Sequence, residues 1–194
     1  KYPQKKEGTN YIIPNDVTNI ADCAFDYCIN LESVYIPRSV SKIGIGAFLE
    51  CWNLTLVNIS DDVECIGKYA FRHCTKLSSI VIPNSVTKIE SMAFYACENL
   101  SHITFGASLK ELHCCAFSGC TGLTAINVNE NNKNYKSIEG VLYSKDGKDG
   151  KDSKELIKYP AKKEGINYDI PNNVTNIARY AFSDCKNLTS VNIS

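Results

Sequence analysis

The chain has no surplus of either charge: 21 Lys and Arg stand against 21 Asp and Glu in 194 residues. Nucleic acid and anionic membrane surfaces are held by clustered Lys and Arg, so neither is an expected partner. No apolar run approaches the roughly 18–20 residues that cross a bilayer, which excludes membrane insertion of this segment by a helix. An initiator Met and the charged-then-apolar opening of a signal peptide are both missing. Histidine is scarce, at three residues.

What is present in quantity is repetition. The pair Ala-Phe recurs at 24–25, 47–48, 70–71, 93–94 and 116–117, at steps of 23, with a sixth pair at 181–182. Three residues after each Phe stands a cysteine, Cys28, Cys51, Cys74, Cys97, Cys120 and Cys185. Three further on come Leu31, Leu54, Leu77, Leu100, Leu123 and Leu188. Each Leu leads into alternating apolar residues such as Val34/Ile36, Val57/Ile59 and Ile80/Ile82. That period-2 pattern predicts a short strand with one buried face, closed after Ile36 and Ile82 by Pro37 and Pro83. The Ala-Phe-x-x-Cys-x-x-Leu segment spaces its apolar residues by three and four and reads as a helical turn. One such unit cannot cover its own apolar side, whereas stacked units cover each other. The expected fold is therefore an α/β repeat solenoid of 23-residue units with short parallel strands.

The motif Ile-Pro-x-x-Val-x-x-Ile-x-x-x-Ala-Phe-x-x-Cys-x-x-Leu is whole in Ile36–Leu54 and Ile82–Leu100. It resembles the leucine-rich repeats of the BspA type, found on surface proteins of gut and oral bacteria and of some protozoan parasites. The resemblance implies a horseshoe with strands on its concave side and a place on the cell surface or outside the cell. Its implied role is non-catalytic: adhesion to, or recognition of, a protein or glycan of a host or neighbouring cell. The sequence lacks a regular Asn after the strand, as the commoner leucine-rich repeat has, so the curvature is not implied. A spacer array displaying another domain is the alternative, and an enzyme has no catalytic constellation to support it.

The rhythm breaks after Val128. Phe117 and Phe182 are 65 residues apart, 19 more than two units. A β-hairpin insert is expected over 129–168, with arms at Val141–Tyr143 and Leu156–Tyr159; five units fill 1–128 and the array resumes over 169–194. Residues 1–37 and 158–194 are identical at 25 of 37 positions, which marks a super-repeat of 157 residues. The expectation is a slice of a longer array whose uncapped ends favour end-to-end self-contacts.

Ten cysteines raise the question of bridges or metal. The six in register with Cys28 lie between buried Phe and Leu positions and read as a ladder of free thiols, since parallel Cβ vectors keep stacked sulfurs from facing each other. Cys23 and Cys115 read as half-buried structural residues. Cys65 and Cys114 fall where other units carry Asn19, Lys42, Asp22 or Lys68, and are expected to face water. His113-Cys114-Cys115 lacks the spacing that turns zinc ligands to one point, and a Cys–His nucleophile needs an orienting third group and a pocket. The run 146–155 spaces its acids by three instead of two, unlike a calcium-binding loop. No metal or cofactor is expected.

The outward strand positions give the candidate ligand-binding concave face: Ser33, Tyr35, Leu56, Asn58, Ser79, Val81, His102, Thr104, Ala125 and Asn127, continued by Ser190 and Asn192. None of the twelve carries a formal charge, although 22% of the chain is Asp, Glu, Lys or Arg. A mildly polar face depleted in charge suits recognition, and short side chains on a flat parallel sheet would give the same composition without a ligand.

Overall fold

The computed structural model of the protein describes residues 8–145 and 154–193. Each 23-residue unit is one coil of a solenoid built from a long strand, a short strand and a chain of turns. The long strands are β1 (Asn10–Ile12), β3 (Ser33–Ile36), β5 (Leu56–Ile59), β7 (Ser79–Ile82), β9 (His102–Phe105) and β11 (Ala125–Val128). The short ones are β2 (Asn19–Ile20), β4 (Lys42–Ile43), β6 (Cys65–Ile66), β8 (Lys88–Ile89) and β10 (Glu111–Leu112), which form one continuous parallel sheet. Strand partners are 23 residues apart, as in Val34 with Val57 and Ile43 with Ile66.

The expected helical turns do not form, and no helix occurs among the described residues, so the α/β reading is corrected to an all-β solenoid. The reason lies in where the N–H groups go. Between Cys23 and Cys28 every second N–H leaves for the next coil: Cys23 to Ile45 O at 2.8 Å, Phe25 to Ala47 O at 2.7 Å, Tyr27 to Leu49 O at 2.8 Å. The alternate ones, on Ala24, Asp26 and Cys28, close turns onto Ala21, Cys23 and Phe25. A helix would need every N–H within its own segment. The alternation also requires left-handed residues at fixed places, and Cys23 and Tyr27, Gly46 and Glu50, Tyr69 and His73, Met92 and Ala96 supply them at φ between 53° and 61°. Serial turns deliver apolar side chains inward at spacings of three and four, as in Ala47, Phe48, Cys51 and Leu54, which on paper look like one face of a helix.

Inside, Phe25, Phe48, Phe71, Phe94 and Phe117 stack at centroid separations of 4.9, 5.2, 5.4 and 5.7 Å, with planes within 13° of parallel. Offset-stacked rings of this kind contribute about 0.5–1.5 kcal/mol a pair beyond their burial. Beside them runs the cysteine ladder. Cys51, Cys74, Cys97 and Cys120 donate through Sγ to the carbonyls of Phe25, Phe48, Phe71 and Phe94 at 3.0–3.2 Å. All ten cysteines are free. Burial pushes the Cys51 thiol up to about 12 and raises those of Cys74 and Cys97 well above the ordinary thiol range.

After Val128 the chain forms β12 (Tyr135–Ile138), β13 (Val141–Ser144) and β14 (Lys154–Lys158), an antiparallel trio in which β13 is central. The two arms around β13 and β14 were expected; β12 was not. Tyr159 then occupies the place of a stack phenylalanine. It lies 23 residues before Phe182, its ring stacks on Phe182 at 5.5 Å, and its carbonyl accepts Cys185 Sγ at 3.7 Å. The return arm of the insert therefore doubles as a coil, pairing in parallel with β16 (Val174–Ile177). The last coil adds β15 (Asn167–Asp169) and β17 (Ser190–Asn192), which pair with each other.

The insert also closes the open end of the five-coil stack. Asn132, fully buried, donates through Nδ2 to Gly106 O at 2.9 Å and Leu109 O at 3.2 Å, and its Oδ1 accepts the N–H groups of Asn134 and Tyr135 at 2.9 and 2.8 Å. Tyr135 OH accepts Leu112 N–H at 3.1 Å and donates to Lys110 O at 3.0 Å, replacing the strand that would otherwise follow β10. Among the described residues no helix is long and apolar enough to cross a membrane.

Candidate recognition face

The long strands present the ten candidate residues on one side: Ser33, Thr104 and Ala125 are half-buried, and Tyr35, Leu56, Asn58, Ser79, Val81, His102 and Asn127 are exposed. Register arranges them in rows. One row runs Asn10, Ser33, Leu56 and another Ile12, Tyr35, Asn58; beyond β5 the rows continue as Ser79, His102, Ala125 and Val81, Thr104, Asn127. Asn10 and Ile12 were missed by sequence reading, although subtracting one period from Ser33 and Tyr35 finds them. Ile12 is 73% exposed. In the last coil Asp169, paired with Asn192, puts one carboxylate on the same type of position.

Two of the polar residues here bond neighbours on adjacent strands or turns. Ser33 Oγ donates to Asn10 Oδ1 at 2.6 Å, and His102 lies 2.9 Å from Ser101 Oγ through Nδ1 and 3.4 Å from Thr124 Oγ1 through Nε2. The apolar ones have no such cover: Leu56 is 60% and Val81 66% exposed. Between them the ladder stops. β1-β3-β5 and β7-β9-β11 are separate three-stranded sheets, while the short-strand sheet and the Phe stack run on behind. A cleft of about 570 Å³ opens there, floored by Val57, Ile59, Ile80, Ile82 and Phe105, with Asn58, Asp61 and Asn84 on its rim.

The other residues singled out by sequence are dispersed. Cys65 and Cys114 are half-buried instead of facing water, because neighbouring coils flank them closely. Burial and the Glu90 carboxylate raise the Cys65 thiol, against weaker opposition from Lys42 and Lys88, so it is not activated. Cys23 is exposed and Cys115 buried, where both were expected half-buried; only Cys115 has another coil's Ser91 against it, Oγ to Sγ 3.3 Å, besides His113 Nδ1 at 3.0 Å. Among the described residues no three His, Cys, Asp or Glu side chains converge as a metal site would need. The acidic run after Lys145 lies outside the described residues, apart from Lys154 and Glu155. A second surface went unnoticed in the sequence: on the turn side Arg72 lies between the Tyr69 and Tyr95 rings, 5.4 and 5.3 Å from their centroids, and Trp52 meets Tyr27 edge-on at 6.5 Å.

No curated protein sequence matches the chain. Among solved structures it is similar to a leucine-rich repeat protein of Eubacterium ventriosum, with 26% identity, a TM-score of 0.68, and coverage of 97% of this chain and 54% of that one. A leucine rich cell surface protein of Faecalibacterium prausnitzii is also 26% identical, with a TM-score of 0.52 over 96% of this chain and 66% of the other. A leucine-rich repeat protein of Bacteroides ovatus shares the fold, with a TM-score of 0.67 at 23% identity over 95% of this chain and 45% of that protein. The chain thus spans about half to two thirds of the length of these proteins. A profile of the BspA type leucine rich repeat region matches six copies over residues 4–124 and 162–194. With that match covering most of its length, and the 23-residue solenoid beneath it, the chain belongs to the BspA-type leucine-rich repeat family.

Proposed function

We propose that the long-strand face is the recognition site of a non-catalytic binding module, carried on a cell-surface or secreted protein and directed at a protein or glycan of a host or neighbouring cell. The observation that carries this reading is the composition of the face. Twelve outward positions in six strands hold no Lys, Arg, Asp or Glu, and Tyr35, Leu56 and Val81 stand exposed among them. Apolar anchors within a neutral polar surround are what a protein leaves open for a partner. Two further facts lend support. Repeat solenoids of this family are typically non-enzymatic, and a structural relative is described as a cell surface protein.

The test is a surface-binding comparison on a glycan array and a panel of purified host extracellular proteins. The double substitution Tyr35→Ala, Asn58→Ala should abolish capture of whatever the unmodified chain retains, with circular dichroism unchanged. Capture that survives this pair moves the site elsewhere. A chain that captures nothing on either panel is a spacer.

A further inference from the structure

The insert does more than cap the stack. Along its strands the side chains alternate, so Val141, Tyr143 and Leu156 join the core of the last coils. Tyr135, Leu142 and Ile157 turn the other way, into the core of the five-coil stack. Ser144, opposite Tyr135, and Glu155, two residues before Ile157, share that second face but lie past the edge of its core. Glu155 N–H donates to Ser144 Oγ at 2.9 Å, which leaves the hydroxyl proton for another acceptor.

A cleft of about 550 Å³ opens at this edge, within the roughly 300–1,000 Å³ of ligand sites. It lies on the side of the short strands, whose sheet stops at β10; parallel pairing resumes with β14 and β16. Leu112, Ile157 and Ala178 form its apolar part. Asn134 holds Leu109 O through Nδ2 at 3.0 Å and keeps Oδ1 free to accept. Lys110, from the five-coil stack, and Arg179, from the last coil, supply two cations to the lining, and Glu155 supplies one carboxylate. Ion pairs among the described residues gather on Lys88, so none of these three is paired there. With His113 neutral, two cations against one acid leave an excess of one positive charge.

We propose that this cleft binds one uronic-acid residue of an acidic glycan. The excess of one positive charge matches a single carboxylate, which Lys110 and Arg179 receive through charge-assisted hydrogen bonds. The ring hydroxyls meet Glu155, Asn134 Oδ1 and Ser144 Oγ, and the C–H face of the ring lies on Leu112 and Ile157. A zwitterionic amino acid also carries both charges. Its ammonium serves Glu155 alone, however, and leaves Asn134 and Ser144 without a partner. The cleft is built by the insert on the short-strand side, so it stands apart from the long-strand face and does not depend on that reading.

The experiment titrates the isotope-labelled full chain with three probes and follows its amide NMR shifts. The probes are methyl β-D-glucuronide, its neutral counterpart methyl β-D-glucoside, and L-alanine. The glucuronide should bind with shifts centred on Leu112, Ser144 and Glu155, and the glucoside should be weaker by about tenfold. Lys110→Gln combined with Arg179→Gln should bring the glucuronide down to the level of the glucoside. Glu155→Ala should weaken both sugars. Lys110 and Arg179 are exposed and unpaired, so the double variant should keep the unmodified melting curve. No binding of the glucuronide, equal binding of the two sugars, shifts centred elsewhere, or a double variant that keeps the preference overturns the assignment. Alanine binding in the cleft where the glucuronide does not overturns it in favour of an amino-acid site.

Discussion

Asn132 is the residue on which the end of the five-coil stack depends, and its replacement tests the account of that cap. Its amide makes four hydrogen bonds with no exposure to water. In Asn132→Ala two of the four partners can be satisfied again: Leu109 O keeps Asn134 Nδ2 at 3.0 Å, and the exposed Asn134 can turn its N–H to water. Tyr135 N–H and Gly106 C=O stay buried without a partner. At about 1–2 kcal/mol for each stranded group, the substitution should cost about 2–4 kcal/mol, or roughly 5–15 °C in melting temperature for a chain of this size. Asn132→Asp separates the two halves of the amide. Its Oδ1 still accepts from Asn134 and Tyr135, but the other oxygen faces two carbonyls and must carry a proton to donate to Gly106 O, while Leu109 O keeps Asn134 Nδ2. The folded pKa of the new carboxyl is then raised above its unfolded value of about 3.9. A raised pKa means stability present below that unfolded value and lost as pH rises, so this variant should approach the parent at about pH 4 and fall away toward neutrality. Urea unfolding followed by circular dichroism between those limits measures both, with the exposed Asn131→Ala as control. A cost below about 1 kcal/mol for Asn132→Ala, or an Asn132→Asp whose stability ignores pH, would refute the capping role.

The thiol ladder predicts alkaline lability. Unfolded thiols ionise near 9, whereas burial holds Cys51 to about 12 and Cys74 and Cys97 well above the ordinary range. The folded values being raised, their stability is complete below pH 9 and is lost as pH climbs toward 12, by about 1.4 kcal/mol per pH unit per thiol; in Cys51→Ala the slope of the urea midpoint against pH should drop by one such contribution. Lys158 opposes this with the other sign, since burial lowers its amine and the cost of charging it is relieved as pH rises to its unfolded value. Thiol labelling should rank the cysteines by cover: Cys23 at once, Cys65, Cys114 and Cys185 slowly, and the buried remainder only on unfolding. A buried ladder thiol that labels as fast as Cys23 in the native chain would contradict the stack. Phe71→Ala, at the middle of the ring column, should cost about 3–5 kcal/mol, read by chemical denaturation; a smaller loss than for Phe25→Ala at the column's end would put the weight of the stack elsewhere.

The period of 23, the strand positions and the inward Phe, Cys and Leu were legible because each is repeated until chance is excluded. The helix was misread for a physical reason. Apolar residues three and four apart are what one helical turn needs, and also what consecutive turns of alternating hand present. Only the destination of the N–H groups separates the two. The hint lay at the left-handed positions, where four coils carry Cys23, Gly46, Tyr69 and Met92 without a shared side-chain chemistry, a sign that the backbone and its neighbour coil set the conformation. Tyr159 was hidden by the insertion before it: the distance from Phe117 fits no multiple of the period, and only the 23 residues to Phe182 betray it. The cleft has no sequence signature. Pro37 and Pro83 close equivalent strands, and only the second stands beside the split. Pairing between two coils depends on how every coil behind them stacks, and a stack anchored by a continuous ring column and short-strand sheet can open on its far side without changing a residue of the motif. The recognition proposed for the long-strand face accordingly draws on positions where the repeat is regular in sequence and irregular in space, such as Leu56 and Val81 beside the split.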